Sequence, residues 1–146
     1  MRAYQIYLIE DEVAEYYYGR ERMFYDLFIE YFHVSGRLKQ IIRRQIEYIT
    51  KPIPVLHIQY LVGQAFAKKK ELIVEGHVYK FRDSDRTNGV ELMIGENSLR
   101  LQAWGKFDSE SAFLEILRKY DGRLLAIDFE NERYGWIKPI KERKYV

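Results

Sequence analysis

The hydrophobic pattern changes its period partway along the chain, and that change constrains the fold more than any other feature. As far as the lysines at 68–70, apolar residues recur at helical spacing; beyond Lys70 they gather into short extended runs separated by turn residues. Phe24, Leu27, Phe28 and Tyr31 make one helical stripe, which Ser35-Gly36 breaks. Leu38, Ile41, Ile42, Ile46 and Ile49 make a second, with Arg43, Arg44 and Glu47 largely on the opposite side. That helix must stop at Pro52-Ile53-Pro54, because the residue before each proline is pushed out of helical geometry. Ile58, Leu61, Val62, Ala65 and Phe66 predict one more helix. After it, residues 72–74, 77–81, 90–94 and 99–103 read as strands, with Gly76 as a bulge and Asn88-Gly89 and Gly95-Glu96-Asn97 as turns. A last helix starts near Asp108 or Ser109 with Phe113, Ile116, Leu117 and Tyr120 as its buried stripe, and residues 124–129 and 134–137 close the chain as strands.

At the N-terminus, residues 4–9 are rich in aromatic and β-branched side chains and predict a strand. Glu10, Asp11 and Glu12 then favour a helix start, and Gly19 ends a short helix over 13–18. Helices in the first half and strands mostly in the second give an α+β class. The expectation is a single domain over 1–146, with one layer of helices on a mainly antiparallel sheet built from the C-terminal half plus the first strand.

Composition narrows the function. The 24 basic and 22 acidic residues nearly cancel, unlike the strong basicity of a dedicated nucleic-acid binder. The absence of cysteine excludes disulfides, thiolate catalysis and cysteine-ligated metals. His33, His57 and His77 fall on separate elements without metal-ligand spacing, and no nucleophile elbow or phosphate-cradling loop is present. We therefore expect no enzyme, no cofactor, no metal and no membrane span, and a cytoplasmic location. The basic segment with Lys138, Lys141, Arg143 and Lys144, with Tyr134, Trp136 and Tyr145 as stacking rings, leaves a nucleic-acid-binding regulator as the alternative.

The aromatic content, 16%, suits a dense core or an anchored interface. Its unusual expression is Tyr16-Tyr17-Tyr18, since three consecutive helical positions cannot all face one core. Val13 and Tyr17 share one face and Ala14 and Tyr18 the next, so one large ring is expected outside. That ring is either a protein-binding anchor or is covered by a neighbouring element.

Several ordered blocks resemble the SirA family, the sporulation inhibitors of replication of bacilli. They are Tyr7-Leu8-Ile9-x-x-Glu12, Tyr17-Tyr18-Gly19-Arg20-Glu21 and Gln45-Ile46-Glu47-Tyr48-Ile49-Thr50 before Pro52-Ile53-Pro54. To these is added the ending Asp128-Phe129-x-x-Glu132-Arg133-Tyr134-Gly135-Trp136 followed by Pro139-x-Lys141-Glu142-Arg143. The resemblance implies a non-enzymatic inhibitor that binds the N-terminal domain, domain I, of the initiator DnaA and stops initiation at the chromosomal origin during sporulation. It also implies contacts through Val13, Tyr17 and Glu47; beside these, Tyr16, Arg20 and Arg44, the last one helical turn before Glu47 on the outward face, are weaker candidates. Sequence-specific DNA binding by the chain itself is not expected. Two positions depart from the family pattern, which has a larger aromatic at Val13 and a neutral amide at Glu47.

Overall fold

A computed structural model describes residues 1–67, 72–82, 87–106 and 108–139. The strand β1 (Arg2–Ile9) is followed by α1 (Asp11–Tyr16), α2 (Arg22–His33), α3 (Gly36–Ile49), a two-residue strand β2 (Thr50–Lys51) and α4 (Val55–Phe66). Strands β3 (Ile73–Glu75), β4 (Val78–Arg82), β5 (Gly89–Ile94) and β6 (Leu99–Trp104) then form a meander. Helix α5 (Asp108–Leu117) leads to the hairpin of β7 (Arg123–Asp128) and β8 (Arg133–Trp136). The sheet runs β3-β4-β5-β6-β1-β7-β8, with β2 added beside the end of β1. Every pairing among the described residues is antiparallel.

The α+β class and the antiparallel sheet agree with the sequence expectation. The single layer of helices does not: helices cover both faces. Ile6 and Leu8 of β1 join the core beneath α4 and α5, with Ile58, Val62, Phe113 and Leu117. Ile9 faces the other way into a smaller core with Ala14, Phe24 and Phe28, against which Ile46 and Ile49 of α3 pack. Adjacent residues of β7 divide in the same manner, Leu124 to the first core and Leu125 and Ile127 to the second. A strand buried on both faces needs a continuous apolar run, which is what residues 6–9 and 124–127 supply. The meander strands behave differently. Leu92 and Leu101 are buried whereas Met93 and Arg100 are exposed, so their outer face meets solvent.

Two local expectations change. Gly76 is no bulge: with Glu75 paired to Val78, it and His77 form a two-residue hairpin loop. Its φ of +61° supplies the left-handed turn that such a loop demands. The short β2 arises because Thr50 leaves the helix in an extended conformation before the prolines, its hydroxyl donating to the Ile46 carbonyl at 2.7 Å.

Phe28 is fully buried and stacks on Tyr7 with ring centroids 4.1 Å apart. Phe28→Ala is expected to lower stability by about 3–5 kcal/mol. Met93→Ala, on the solvent face of β5, should stay within about 0.5 kcal/mol of the parent. Urea unfolding midpoints check both.

Candidate functional site

Helix α1 has only six residues, and its N-cap, Glu10, makes no side-chain capping bond. A helix this short is not stable by itself, so its position is imposed from outside. Ala14 buries completely in the second core. The Glu10 N–H donates to the Ile49 carbonyl at 2.8 Å, and Asp11 pairs with Lys51 at 3.5 Å. The beginning of α1 is thus fastened to the end of α3. Beyond Tyr16 the chain leaves the helix in a turn through Gly19, whose φ is +82°, a conformation that glycine adopts without steric cost.

This junction resolves the tyrosine triplet. Tyr16 is 69% and Tyr18 44% exposed. Tyr17 is half-buried: its ring meets Phe24 edge-on at 5.7 Å and Tyr16 at 4.9 Å. Of the triplet, Tyr17 is thus the ring that a neighbouring element partly covers. One side of its ring packs on the core and the other is available. The reason is that Tyr17 follows the last helical residue, so the turn rather than helical periodicity sets its direction.

The available side opens on a groove of about 670 Å³ between α1, α2 and α3. Val13 and Tyr17 form one wall, Met23, Phe24 and Leu27 the floor from α2, and Ile41, Arg44, Gln45, Tyr48 and Ile49 the wall from α3. Arg44 and Gln45 are its polar lining, and no carboxylate lines it. Arg20 lies beside it, with its guanidinium carbon 5.2 Å from the Tyr17 ring centre and 5.4 Å from that of Tyr16.

The structure thus brings Val13, Tyr17 and Arg44 around one groove, with Tyr16 and Arg20 adjoining it. Glu47 is elsewhere. It pairs with Arg43 at 3.1 Å across one turn of α3 and faces a separate depression of about 250 Å³ beside Tyr7, Phe28, Tyr31 and Phe32. Burial there pushes the Tyr7 hydroxyl up to about 12. The sequence reading missed Met23, Ile41 and Tyr48. A signal existed, because Ile41 and Leu38 widen the apolar stripe of α3 beyond what one neighbour can cover, and both remain more than 40% exposed. Tyr48 is 80% exposed. The aromatic excess is not all core: Tyr48, Tyr60 and Phe32 lie largely at the surface.

Glu21 closes the junction. Its Oε1 accepts the Gly19 N–H at 3.0 Å and the Trp136 indole N–H at 3.1 Å. Burial by itself would raise the carboxyl pKa; the bonds from Gly19, Trp136 and its own N–H outweigh that and hold it below its ordinary 4.5.

The basic C-terminal segment is only partly placed. Lys138 pairs with Asp121 at 3.3 Å, while Lys141, Arg143, Lys144 and Tyr145 lie outside the described residues. Among the described residues no helix is long and apolar enough to cross a membrane.

A small α+β scaffold with an open apolar groove edged by arginine has the features of a protein-binding regulatory protein. The family model for the sporulation inhibitor of replication protein SirA matches residues 2–141. The chain is also 35% identical over 147 residues to the sporulation inhibitor of replication protein SirA of Bacillus subtilis (strain 168), covering 99% of this chain and 99% of that relative. The chain belongs to the SirA family.

A carboxyl whose pKa is lower in the folded than in the unfolded state adds stability that is present above the unfolded pKa and is lost as pH falls through the folded one. The parent melting temperature should therefore decline more steeply below pH 4.5 than that of Glu21→Gln. Thermal unfolding of both proteins between about pH 3 and pH 7 checks it.

Proposed function

We propose that this chain inhibits the initiation of DNA replication during sporulation by docking its α1–α3 groove on the N-terminal domain, domain I, of DnaA. The observation that carries the reading is the meeting of Val13, Tyr17 and Arg44, drawn from α1, the turn that follows it and α3, around one apolar groove. Family membership supports the same role, since the Bacillus subtilis relative is a sporulation inhibitor of replication. Large apolar side chains left partly uncovered in the free protein gain stability from burial on binding in proportion to the area covered. Arginine contributes charge-assisted bonds at the edge of such a contact.

The position of Glu47 bears on the extent of the contact. It lies one helical turn beyond Arg44 but lines the separate depression, so a partner that reaches it must extend past the groove over the exposed face of α3. Val13 fills less of the groove wall than the larger aromatic of the family pattern, which leaves room for a bulkier partner side chain. Such an inhibitor acts stoichiometrically. In an origin-unwinding reaction, titration should break near one molecule per DnaA.

Tyr17→Ala should weaken binding to isolated DnaA domain I by about 30- to 1000-fold, the loss typical of a central aromatic anchor. Because the ring also packs on Phe24, stability should fall by about 1–2 kcal/mol while the chain stays folded. Calorimetric titration and urea unfolding of the same variant separate the two effects. Parent-like affinity for Tyr17→Ala would overturn the site. With nearly balanced charge, the protein alone should bind origin DNA no more tightly than about 1 µM at physiological salt, as fluorescence anisotropy can establish.

A further inference from the structure

Residues 17–21 and 132–136 are far apart in sequence and meet at a single oxygen. Glu21 Oε1 takes both the Gly19 backbone N–H and the Trp136 indole N–H. The Trp136 ring also meets Phe24 edge-on at 6.0 Å, and Phe24 meets Tyr17 at 5.7 Å. The elbow between α1 and α2 is otherwise held by local turn bonds, such as Arg20 N–H to the Tyr17 carbonyl at 2.8 Å. Local bonds preserve the shape of a turn without fixing its orientation on the sheet. The link through Glu21 to β8 supplies that orientation.

We propose that Glu21 is a positioning residue for partner binding, tying the elbow to β8 so that Tyr17 stands at the groove before a partner arrives. This inference rests on the reading of the groove as a docking surface. It does not require Glu21 to touch the partner. A site that is formed only part of the time binds with an affinity reduced by that fraction. Loss of the tie therefore lowers the share of molecules ready to bind, and the deficit appears in association. A residue that touches the partner would instead show mainly in dissociation.

The chemistry offers a sharp control. One acceptor oxygen serves both donors, so glutamine keeps the tie through its amide oxygen while losing the charge. Alanine removes the acceptor, and Trp136→Phe removes the indole donor while keeping a ring beside Phe24.

The test measures association and dissociation rates with isolated DnaA domain I for the full chain and for Glu21→Ala, Glu21→Gln and Trp136→Phe. Amide exchange at Gly19 is followed in the same proteins without partner. Glu21→Ala and Trp136→Phe should speed Gly19 exchange and slow association, each by about 5- to 10-fold, with dissociation within about twofold. At neutral pH, Glu21→Gln should stay within about twofold of the parent in both rates and in Gly19 exchange. Unchanged Gly19 exchange in Glu21→Ala, unchanged association with faster dissociation, or a glutamine variant as impaired as alanine would each overturn the proposal. If Glu21→Ala fails to fold, Trp136→Phe against the parent decides. If the parent itself does not bind DnaA, the functional reading falls. Gly19 exchange and the Tyr17–Phe24 ring contact, followed by nuclear Overhauser effects, then decide separately whether Glu21 holds the groove in place.

Discussion

Strand β1 pairs with β6 on one side and β7 on the other, and it has a core against each face. Both helical layers therefore take their positions from it. This arrangement creates a register problem. In a sheet with one wet face, a one-residue slip exposes apolar groups and is strongly disfavoured. With apolar residues at all of positions 6–9, a slip of β1 would exchange one buried set for another. Its ends supply the missing constraint. The Arg2 guanidinium pairs with the buried Glu110 and donates to the Gly105 and Lys106 carbonyls at 2.9 and 3.0 Å. At the other end, Leu8 and Ile9 pair with Lys51 and Thr50, and the Glu10 N–H reaches Ile49. Side-chain shape adds a third constraint, since the Tyr7 ring fits the second core by stacking on Phe28.

The two layers then divide the work. The larger core beneath α4 and α5 buries Ile6, Leu8 and the inner residues of the meander, and has the character of a stable platform. The smaller one beneath α1, α2 and α3 leaves Val13, Tyr17, Ile46 and Ile49 only partly buried. Three helices around a small core cannot close over every apolar side chain they carry. What remains uncovered is the groove. A surface built on packed helices keeps its geometry better than one built on loops, and the groove is anchored through α3 to β2 and through Glu21 to β8.

Much of the fold was legible because strongly periodic segments report their environment directly. The four longer helices and the main strands are where the spacing placed them, and the continuous apolar runs of β1 and β7 carried the information that both faces are covered. Such a run by itself does not decide the point, because it equally fits a strand buried in a single deep core. Gly76 was ambiguous for a related reason: a bulge and a two-residue hairpin loop both favour glycine, and the choice depends on which residues pair. In the site, helical spacing correctly put Val13 and Tyr17 together. It could not show that Tyr17 lies past the last helical residue, nor that Arg44 lines the groove while Glu47, one turn on, lines a separate depression. Met23 and Ile41 become part of the groove only when α2 and α3 are packed, and no local pattern encodes that approach.

The anchor helix shows how local weakness is compatible with a defined surface. Six residues without a side-chain cap would unravel in isolation. Ala14, the bond from Glu10 to Ile49, the Asp11–Lys51 pair and the Glu21 junction hold α1 from three directions. Each contact comes from a different element, so the placement of Tyr17 depends on the fold as a whole. The recognisable sequence blocks run from residue 7 to beyond 130, whereas the groove is lined only by residues from the first 49. The Glu-Arg-Tyr-Gly-Trp run does not line the groove; through Trp136 it supplies the fixed point against which the elbow is set. Under the docking proposed above, a segment distant from the groove is required by the groove's geometry.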